Sequence, residues 1–262
     1  MPAPPLAAVR GFVFDLDGCV WNGDRLNPGA RETLTALHAA GRRLAFLTNN
    51  SRATGTDVRA RLHAAGVAVA EVVLTPLEII GEFIARTYGR SCALVIGSHE
   101  LEAAVAAAGH EVVGVARQRE ATVVVVGNDF DLTYERLAAA ARVAARGAPL
   151  VTPNVDARLP MEDGDFLPGC GALVAAVTVA AGVQPIVVGK PAPPLFRIAL
   201  ERMGVPAEAA AMVGDSVPSD VAGGRAAGMR TVLYAPDGAA PAPEADVTIR
   251  SFAELAALAG LA

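Results

Sequence analysis

The sequence is poor in cysteine, in blocks of like charge and in long apolar runs, and each shortage removes a class of function. Only Cys19, Cys92 and Cys170 occur among the 262 residues, too few and too scattered for a disulfide framework or a zinc cluster. Reduced thiols in a cytoplasm are the expectation. Formal net charge is -5 with no run of one sign, which indicates neither a nucleic-acid footprint nor a surface for anionic membranes. No stretch holds the roughly 18 uninterrupted apolar residues of a membrane span. The opening MPAPPLAAVR has neither a basic leader nor a long apolar core. A cytoplasmic protein with a small polar partner follows as the expectation, with no nucleic acid and no membrane.

What is present is apolar and punctuated. Hydrophobic residues make up 53% and charged ones 19%, a globular balance, and the length suits one large domain or two modest ones. After the Pro-rich lead-in, GFVFDLD reads as a buried strand ending in acid near Asp15. A helix over Pro28 to Ala40 closes at Gly41, RLAFLTNN forms a second strand, and Asp57 to Ala65 a second helix before the strand VAVAEVVLT. The alternation resumes with CALVIGS, ELEAAVAAAG, ATVVVVGND, YERLAAAARVAARG and APLVTPN. It continues through GALVAAVTVAAG, PIVVGK, LFRIALERMG, AAMVGDS, VAGGRAAG and TVLYAP. Such alternation predicts an α/β fold of largely parallel sheets covered by helices, with ligands outside the carboxyl ends of the strands.

FDLD, LTNN, VVGK and MVGD are strand ends of that kind. Asp15 and Asp17, two apart on an extended segment, can face one site. In MVGDSVPSD, Asp215 ends an apolar strand and Asp220 follows a short loop. Four carboxylates gathered at strand ends repel unless a cation sits among them, and clustered oxygens suit a hard ion such as Mg²⁺. Lys190, before Pro191, offers an ammonium and Thr48 a hydroxyl beside Asn49 and Asn50, all groups suited to phosphate. Together they fit phosphoryl transfer, which asks of a protein chiefly positioning and charge stabilisation. The bland readings are turn acids for Asp15 and Asp17, strand closure for Thr48 and Asn49, and helix capping for Asp220.

In order, DLDGCVW, LTNNS, VVGKP and GDSVPSD resemble the four motifs of the haloacid dehalogenase superfamily of phosphatases. The LTNN form and the long insertion after it resemble the class IIA subgroup with a C2-type cap, which is p-nitrophenyl phosphatase-like. TPNVD and FLPGCGALVAA within the insertion do so as well. The resemblance implies a Rossmann-like parallel-sheet core over residues 1–75 and 185–262, and an inserted α/β C2-type cap domain over 76–184. It makes Asp15 the nucleophile that forms an aspartyl phosphate. Asp17 would protonate the leaving oxygen and then deprotonate water. Mg²⁺ would be held by Asp15, the Asp17 carbonyl and Asp215, with Asp220 in support. Thr48, Asn49 and Lys190 would bind phosphate. In the cap, Asn154, Asp156, Gly169 and Cys170 are candidate substrate contacts, beside the reading that such residues only turn the chain or pack it. Trp21 and Arg25 lie in the stretch that forms a flap in similar proteins, beside the reading that Trp21 packs against the core. The implied substrate is a small phosphorylated metabolite, and related capped phosphatases dimerise through the cap. Ser216 departs from the basic residue that many relatives carry after the acid matched by Asp215, which touches substrate or cap contact rather than catalysis. Competing readings are a dehalogenase, which the second acid Asp17 disfavours, a phosphomutase or phosphotransferase, and a non-catalytic metabolite-binding protein.

Overall fold

The computed structural model describes residues 5–160, 165–238 and 244–261; most of the Pro-rich lead-in lies outside them. The chain opens with β1 (Gly11–Asp15), then a small antiparallel pair, β2 (Trp21–Asn22) and β3 (Arg25–Leu26). Next come α1 (Ala30–Ala39), β4 (Arg43–Leu47), α2 (Gly55–Ala64) and β5 (Val72–Leu74). The middle carries α3 (Pro76–Tyr88), β6 (Cys92–Ile96), α4 (His99–Ala107), β7 (Glu111–Val113), β8 (Val123–Val126), α5 (Tyr134–Ala145) and β9 (Leu150–Thr152). It ends with β10 (Arg158–Pro160), β11 (Phe166–Pro168), α6 (Cys170–Ala181) and β12 (Ile186–Val187). The closing part has α7 (Pro193–Met203), β13 (Ala210–Gly214), α8 (Ala222–Ala226), β14 (Arg230–Tyr234), β15 (Val247–Ile249) and α9 (Phe252–Leu258). No helix among the described residues is long and apolar enough to cross a membrane.

Two compact units result. The first gathers Met1–Thr48, Gly55–Leu74 and Lys190–Ala262; the second gathers Asn49–Thr54 and Thr75–Gly189. In the first, six parallel strands run in the order β15-β14-β13-β1-β4-β5. β1 and β13 are buried along their whole length, as strands covered on both faces must be, which is why GFVFD and AAMVG read as continuous apolar runs rather than alternating ones. Phe14 of β1 stacks on Phe46 of β4 at 5.9 Å and on Phe252 of α9 at 6.4 Å, and Tyr234 of β14 closes on Phe252 at 5.2 Å. The Thr33 hydroxyl of α1 donates to the Phe252 carbonyl at 3.0 Å, so one buried aromatic ring and one hydrogen bond hold α9 to the sheet and to its neighbour.

The second unit has its own five-stranded parallel sheet, in the order β12-β9-β8-β6-β7, and a separate β10–β11 antiparallel pair. Its apolar cluster joins Leu94, Ile96, Val124 and Val126 of the strands to Ala140 and Val143 of α5 and Val174 and Val177 of α6. Thr75, Ser98 and Thr133 begin α3, α4 and α5, each side chain accepting a backbone N–H of the first turn.

The α/β class and the parallel sheets are those that the alternation of strands and helices predicts. Three placements differ from the sequence reading. PIVVGK, expected to open the returning part of the core, contributes β12 to the edge of the second unit's sheet, where Ile186 and Val187 pair with Val151 and Thr152; Lys190 is the first residue back in the first unit. Asn49–Thr54 groups with the second unit although it directly follows β4. Only Val72–Leu74 of VAVAEVVLT is strand. Truncating the ring at the α9 contact, Phe252→Ala, is expected to cost about 3–5 kcal/mol, the usual range for emptying a buried aromatic site. Urea unfolding followed by circular dichroism measures it, and a loss below about 1 kcal/mol would show that the aromatic stack does not anchor α9.

Candidate active site

Asp15 is the last residue of β1, and its neighbours across the sheet put β4 and β13 on either side. The carboxyl ends of these three strands carry Asp15, Thr48 and Asp215. Lys190 reaches in with its ammonium, donating to Asp15 Oδ1 and to Asp220 Oδ1, the latter at 2.6 Å. Asp15, Lys190 and Asp220 are all buried.

Asp220 gets there by a wide turn. Residues Val217–Val221 coil so that the N–H groups of Asp220 and Val221 both donate to the Ser216 carbonyl, at 2.8 and 3.2 Å. The Asp220 side chain folds back, and its Oδ2 accepts the Ser216 N–H at 3.1 Å. Gly214 is required at the end of β13, because a Cβ there would run into the Asp220 carboxyl group. Asp220 thus supports the turn and the ammonium, and makes no side-chain cap to the α8 helix that follows.

Charge in this space does not balance. Carboxylate oxygens of Asp15, Asp215 and Asp220 all lie within 4.8 Å of one another, against the single ammonium of Lys190. Burial pushes the Asp15 carboxyl well above the usual range, Lys190 opposes that, and Asp220 and Asp215 add to it. Asp215 is raised too, by burial first and by Asp220 next. For Lys190, burial works against the charged form, but Asp15 and Asp220 outweigh it and hold the ammonium protonated. A surplus of closely spaced hard oxygen donors around one fixed cation is the chemistry that suits a divalent ion such as Mg²⁺. The donor set therefore fits that metal. Beneath it, Cys19 is fully buried, its thiol pushed well up by burial and by Asp15, which makes it an inert packing residue.

Asp17 lies outside that cluster and is exposed. Its Oδ1 accepts the Trp21 indole N–H at 2.8 Å and its Oδ2 accepts the Thr48 hydroxyl at 2.9 Å. The loop that carries it is a closed device. Gly18, at φ +95°, donates to the Trp21 carbonyl at 2.8 Å while the Trp21 N–H returns to the Leu16 carbonyl at 3.0 Å. The Asn27 amide spans both the Gly18 and Cys19 carbonyls, at 3.1 and 2.6 Å. A side chain at Gly18 would meet the Asp215 carboxylate as well as a left-handed backbone.

The fold thus brings Asp15, Asp17, Thr48, Lys190, Asp215 and Asp220 to one end of the first unit's sheet. Asn49 falls in the second unit, where its carbonyl accepts the Asn154 amide at 2.9 Å. Asn154 is buried, and its Oδ1 accepts the N–H of the exposed Asp156 at 3.2 Å. Gly169 donates to the Ala157 carbonyl at 2.9 Å. Cys170 belongs to the second unit's apolar cluster, with Sγ 3.1 Å from the Thr152 hydroxyl and 3.6 Å from the Val126 carbonyl; its contacts are those of a packing residue. The sequence reading missed the hold of Trp21 on Asp17 and the part of Asn27. The one signal for the first was an indole four residues beyond an acid, with a glycine between them to fold the chain back.

Residues 12–111 match the haloacid dehalogenase-like hydrolase family and residues 187–255 match a HAD-hydrolase-like family. A glycerol-3-phosphate phosphatase of Homo sapiens is 35% identical over 254 residues, covering 87% of this chain and 79% of that protein. The chain belongs to the haloacid dehalogenase-like hydrolases. This hydrolase is also 34% identical over 217 residues to an acid sugar phosphatase of Staphylococcus saprophyticus, with 82% of each chain covered. Among solved structures, a 4-nitrophenylphosphatase from Thermotoga maritima matches it with a TM-score of 0.84 at 31% identity, over 97% of this chain and 98% of that one. Within its family the hydrolase is an enzyme of the phosphoric monoester class, similar to the p-nitrophenyl phosphatases.

Lys190→Met keeps most of the side-chain volume and removes the ammonium, leaving Asp15 and Asp220 buried together. Breaking a buried ion pair on one side costs about 3–5 kcal/mol. With the ammonium gone, burial and Asp220 hold the folded-state pKa of Asp15 further above its unfolded value, so the folded state binds extra protons. That contribution is fully present at low pH and is lost as pH rises through the folded pKa. Urea unfolding of variant and parent at about pH 5 and about pH 8 is expected to show the larger deficit at the higher pH; equal deficits would contradict the charge arrangement.

Proposed function

We propose that this phosphatase hydrolyses small phosphate monoesters by passing the phosphoryl group through Asp15. The observation that carries the reading is the buried Asp15 at the end of β1, bonded to Lys190, with a second acid, Asp17, separately held two residues on. One carboxylate is shielded and charge-paired, as a nucleophile toward phosphorus needs. The other is exposed and oriented, as a proton carrier needs.

In the first step the Asp15 carboxylate attacks phosphorus while Asp17 gives a proton to the departing alkoxide. In the second, Asp17 takes a proton from the water that attacks the aspartyl phosphate. Lys190 opposes the effect of burial on Asp15 and so favours its ionised form, and it offsets charge on the phosphoryl oxygens, while the Thr48 hydroxyl turns from Asp17 to one of those oxygens. Asn49 adds a further donor. Asp15, Asp215 and the Asp17 carbonyl would hold Mg²⁺, with Asp220 in support, and the ion when bound supplies electrostatic stabilisation of the transferring group. The second unit, inserted in the chain between parts of the first, has the role of a cap, and Asn154, Asp156 and Gly169 are its candidate substrate contacts. Polyol and sugar phosphates are the substrate class, in keeping with the relatives named for glycerol 3-phosphate and acid sugar phosphates.

The test is phosphate release from a panel of p-nitrophenyl phosphate, glycerol phosphate, phosphoglycolate, pyridoxal phosphate, sugar phosphates and nucleotides, with Mg²⁺ or with EDTA, beside Asp15→Asn. Release that requires the metal and vanishes in Asp15→Asn is expected, with polyol or sugar phosphates preferred. Turnover that survives either EDTA or the Asp15 substitution would overturn the mechanism.

A further inference from the structure

The indole of Trp21 does two things at once. Its N–H donates to Asp17 Oδ1 at 2.8 Å, and its ring face is covered by the Arg61 guanidinium, 4.1 Å from the ring centroid. Arg61 projects from α2 and also donates to the Gly23 carbonyl and to Asp24 Oδ1, the latter at 3.2 Å. Gly23 and Asp24 form the turn between β2 and β3. The backbone of Trp21 closes the Asp17 loop through Leu16 and Gly18. Only 4% of Trp21 is exposed, although it stands in a two-residue strand of a small surface pair. The guanidinium is what covers it on the α2 side.

The geometry points to Trp21 and Arg61 as a clamp that positions the Asp17 carboxyl group, with the indole N–H on Oδ1 and the guanidinium stacked on the indole. The inference rests on the proton-carrier role of Asp17 proposed above. An indole N–H only donates, so it holds Oδ1 as an acceptor and fixes the plane of the carboxyl group, while Oδ2 keeps the Thr48 hydroxyl. Held in this way, Asp17 passes its proton to the leaving oxygen in the first step, the O–H bond breaking as the bond to the alkoxide forms, and takes a proton from water in the second. Neither Trp21 nor Arg61 touches the reacting atoms in this scheme. Both are positioning residues, with Arg61 acting through the indole. Lysine would not replace Arg61, because its compact ammonium lacks the planar face that stacks on the ring.

A positioning role differs from a merely structural one in its dependence on the leaving group. An alkoxide needs a proton to depart, whereas p-nitrophenolate leaves with little help, so loss of an oriented acid falls selectively on alkyl esters. The measurement is kcat/KM for p-nitrophenyl phosphate and for glycerol phosphate, which reports events up to departure of the leaving group. It is made on the parent, Trp21→Phe, Arg61→Ala, Asp17→Asn and the Trp21→Phe/Asp17→Asn pair. Trp21→Phe keeps a ring for Arg61 and removes the donor; it is expected to lose about tenfold more on glycerol phosphate than on p-nitrophenyl phosphate. Arg61→Ala is expected to lose in the same sense by less, and serves alone if Trp21→Phe does not fold. Because the chain has a single tryptophan, Arg61→Ala should also shift the protein's emission to longer wavelength. In the Asp17→Asn background, Trp21→Phe is expected to add nothing. If Asp17→Asn shows the selective loss while Trp21→Phe and Arg61→Ala lose equally on both esters, the clamp is overturned and the mechanism stands. If Asp17→Asn itself loses equally on both, the role of Asp17 falls and the clamp with it.

Discussion

Everything at the candidate site depends on one buried ammonium. Lys190 ties the end of β1 to the turn after β13 through Asp15 and Asp220, joining segments far apart in the chain. Around that link the local sequence is constrained. Gly214 must lack a side chain so that Asp220 can fold back, and the wide turn from Ser216 to Val221 exists to aim it. Buried ion pairs of this kind seldom repay the desolvation of their charges in net stability. The arrangement makes better sense as chemistry, since Lys190 opposes the effect of burial on Asp15 and sets a fixed positive charge beside the carboxylate proposed to attack phosphorus. What the single ammonium leaves uncompensated, Asp215 makes worse, and the same surplus of oxygen donors is the set that suits a divalent cation.

The second acid is governed differently. Asp17 stays at the surface and is held by two neutral donors from two elements, an indole and a hydroxyl. Two carboxylates two residues apart thus meet opposite environments. The chain leaves β1 at Asp15 and turns at once, and the Gly18 turn with Asn27 bonded to it separates their surroundings. One is buried and bonded to an ammonium, the other exposed and held by neutral donors, which is the division that the proposed roles of nucleophile and proton carrier require.

Much of this was legible in the residues. Apolar runs that stop abruptly at Asp, Thr-Asn or Gly-Asp mark carboxyl ends of buried parallel strands, and such ends converge in an α/β sheet; Asp15, Thr48 and Asp215 could be placed for that reason. Lys190 does lie beside Asp15 and Asp220, but not at the end of a core strand as its sequence suggested, since the strand before it belongs to the second unit's sheet. A two-residue apolar pairing carries no mark of which sheet it joins, because periodicity reports burial and not partners. The placement of Asn49–Thr54 was hidden likewise, as it rests on long-range bonds such as that of Asn154 to the Asn49 carbonyl. The covering of Trp21 by Arg61 was illegible: forty residues separate them, and nothing in an isolated helix over 55–64 says which side chain reaches a distant ring.

The claim at the centre of this account is that phosphate passes through Asp15. It is tested most directly by mixing Asp17→Asn with p-nitrophenyl phosphate and Mg²⁺, a pairing in which the first step needs little acid help and the second lacks its base. The reaction is then quenched, treated with borohydride and digested for peptide mass spectrometry. Reduction of an aspartyl phosphate converts that residue to homoserine, and the account expects the change at residue 15 alone. An unmodified Asp15 despite release of p-nitrophenol, or a change at another carboxylate, would contradict it.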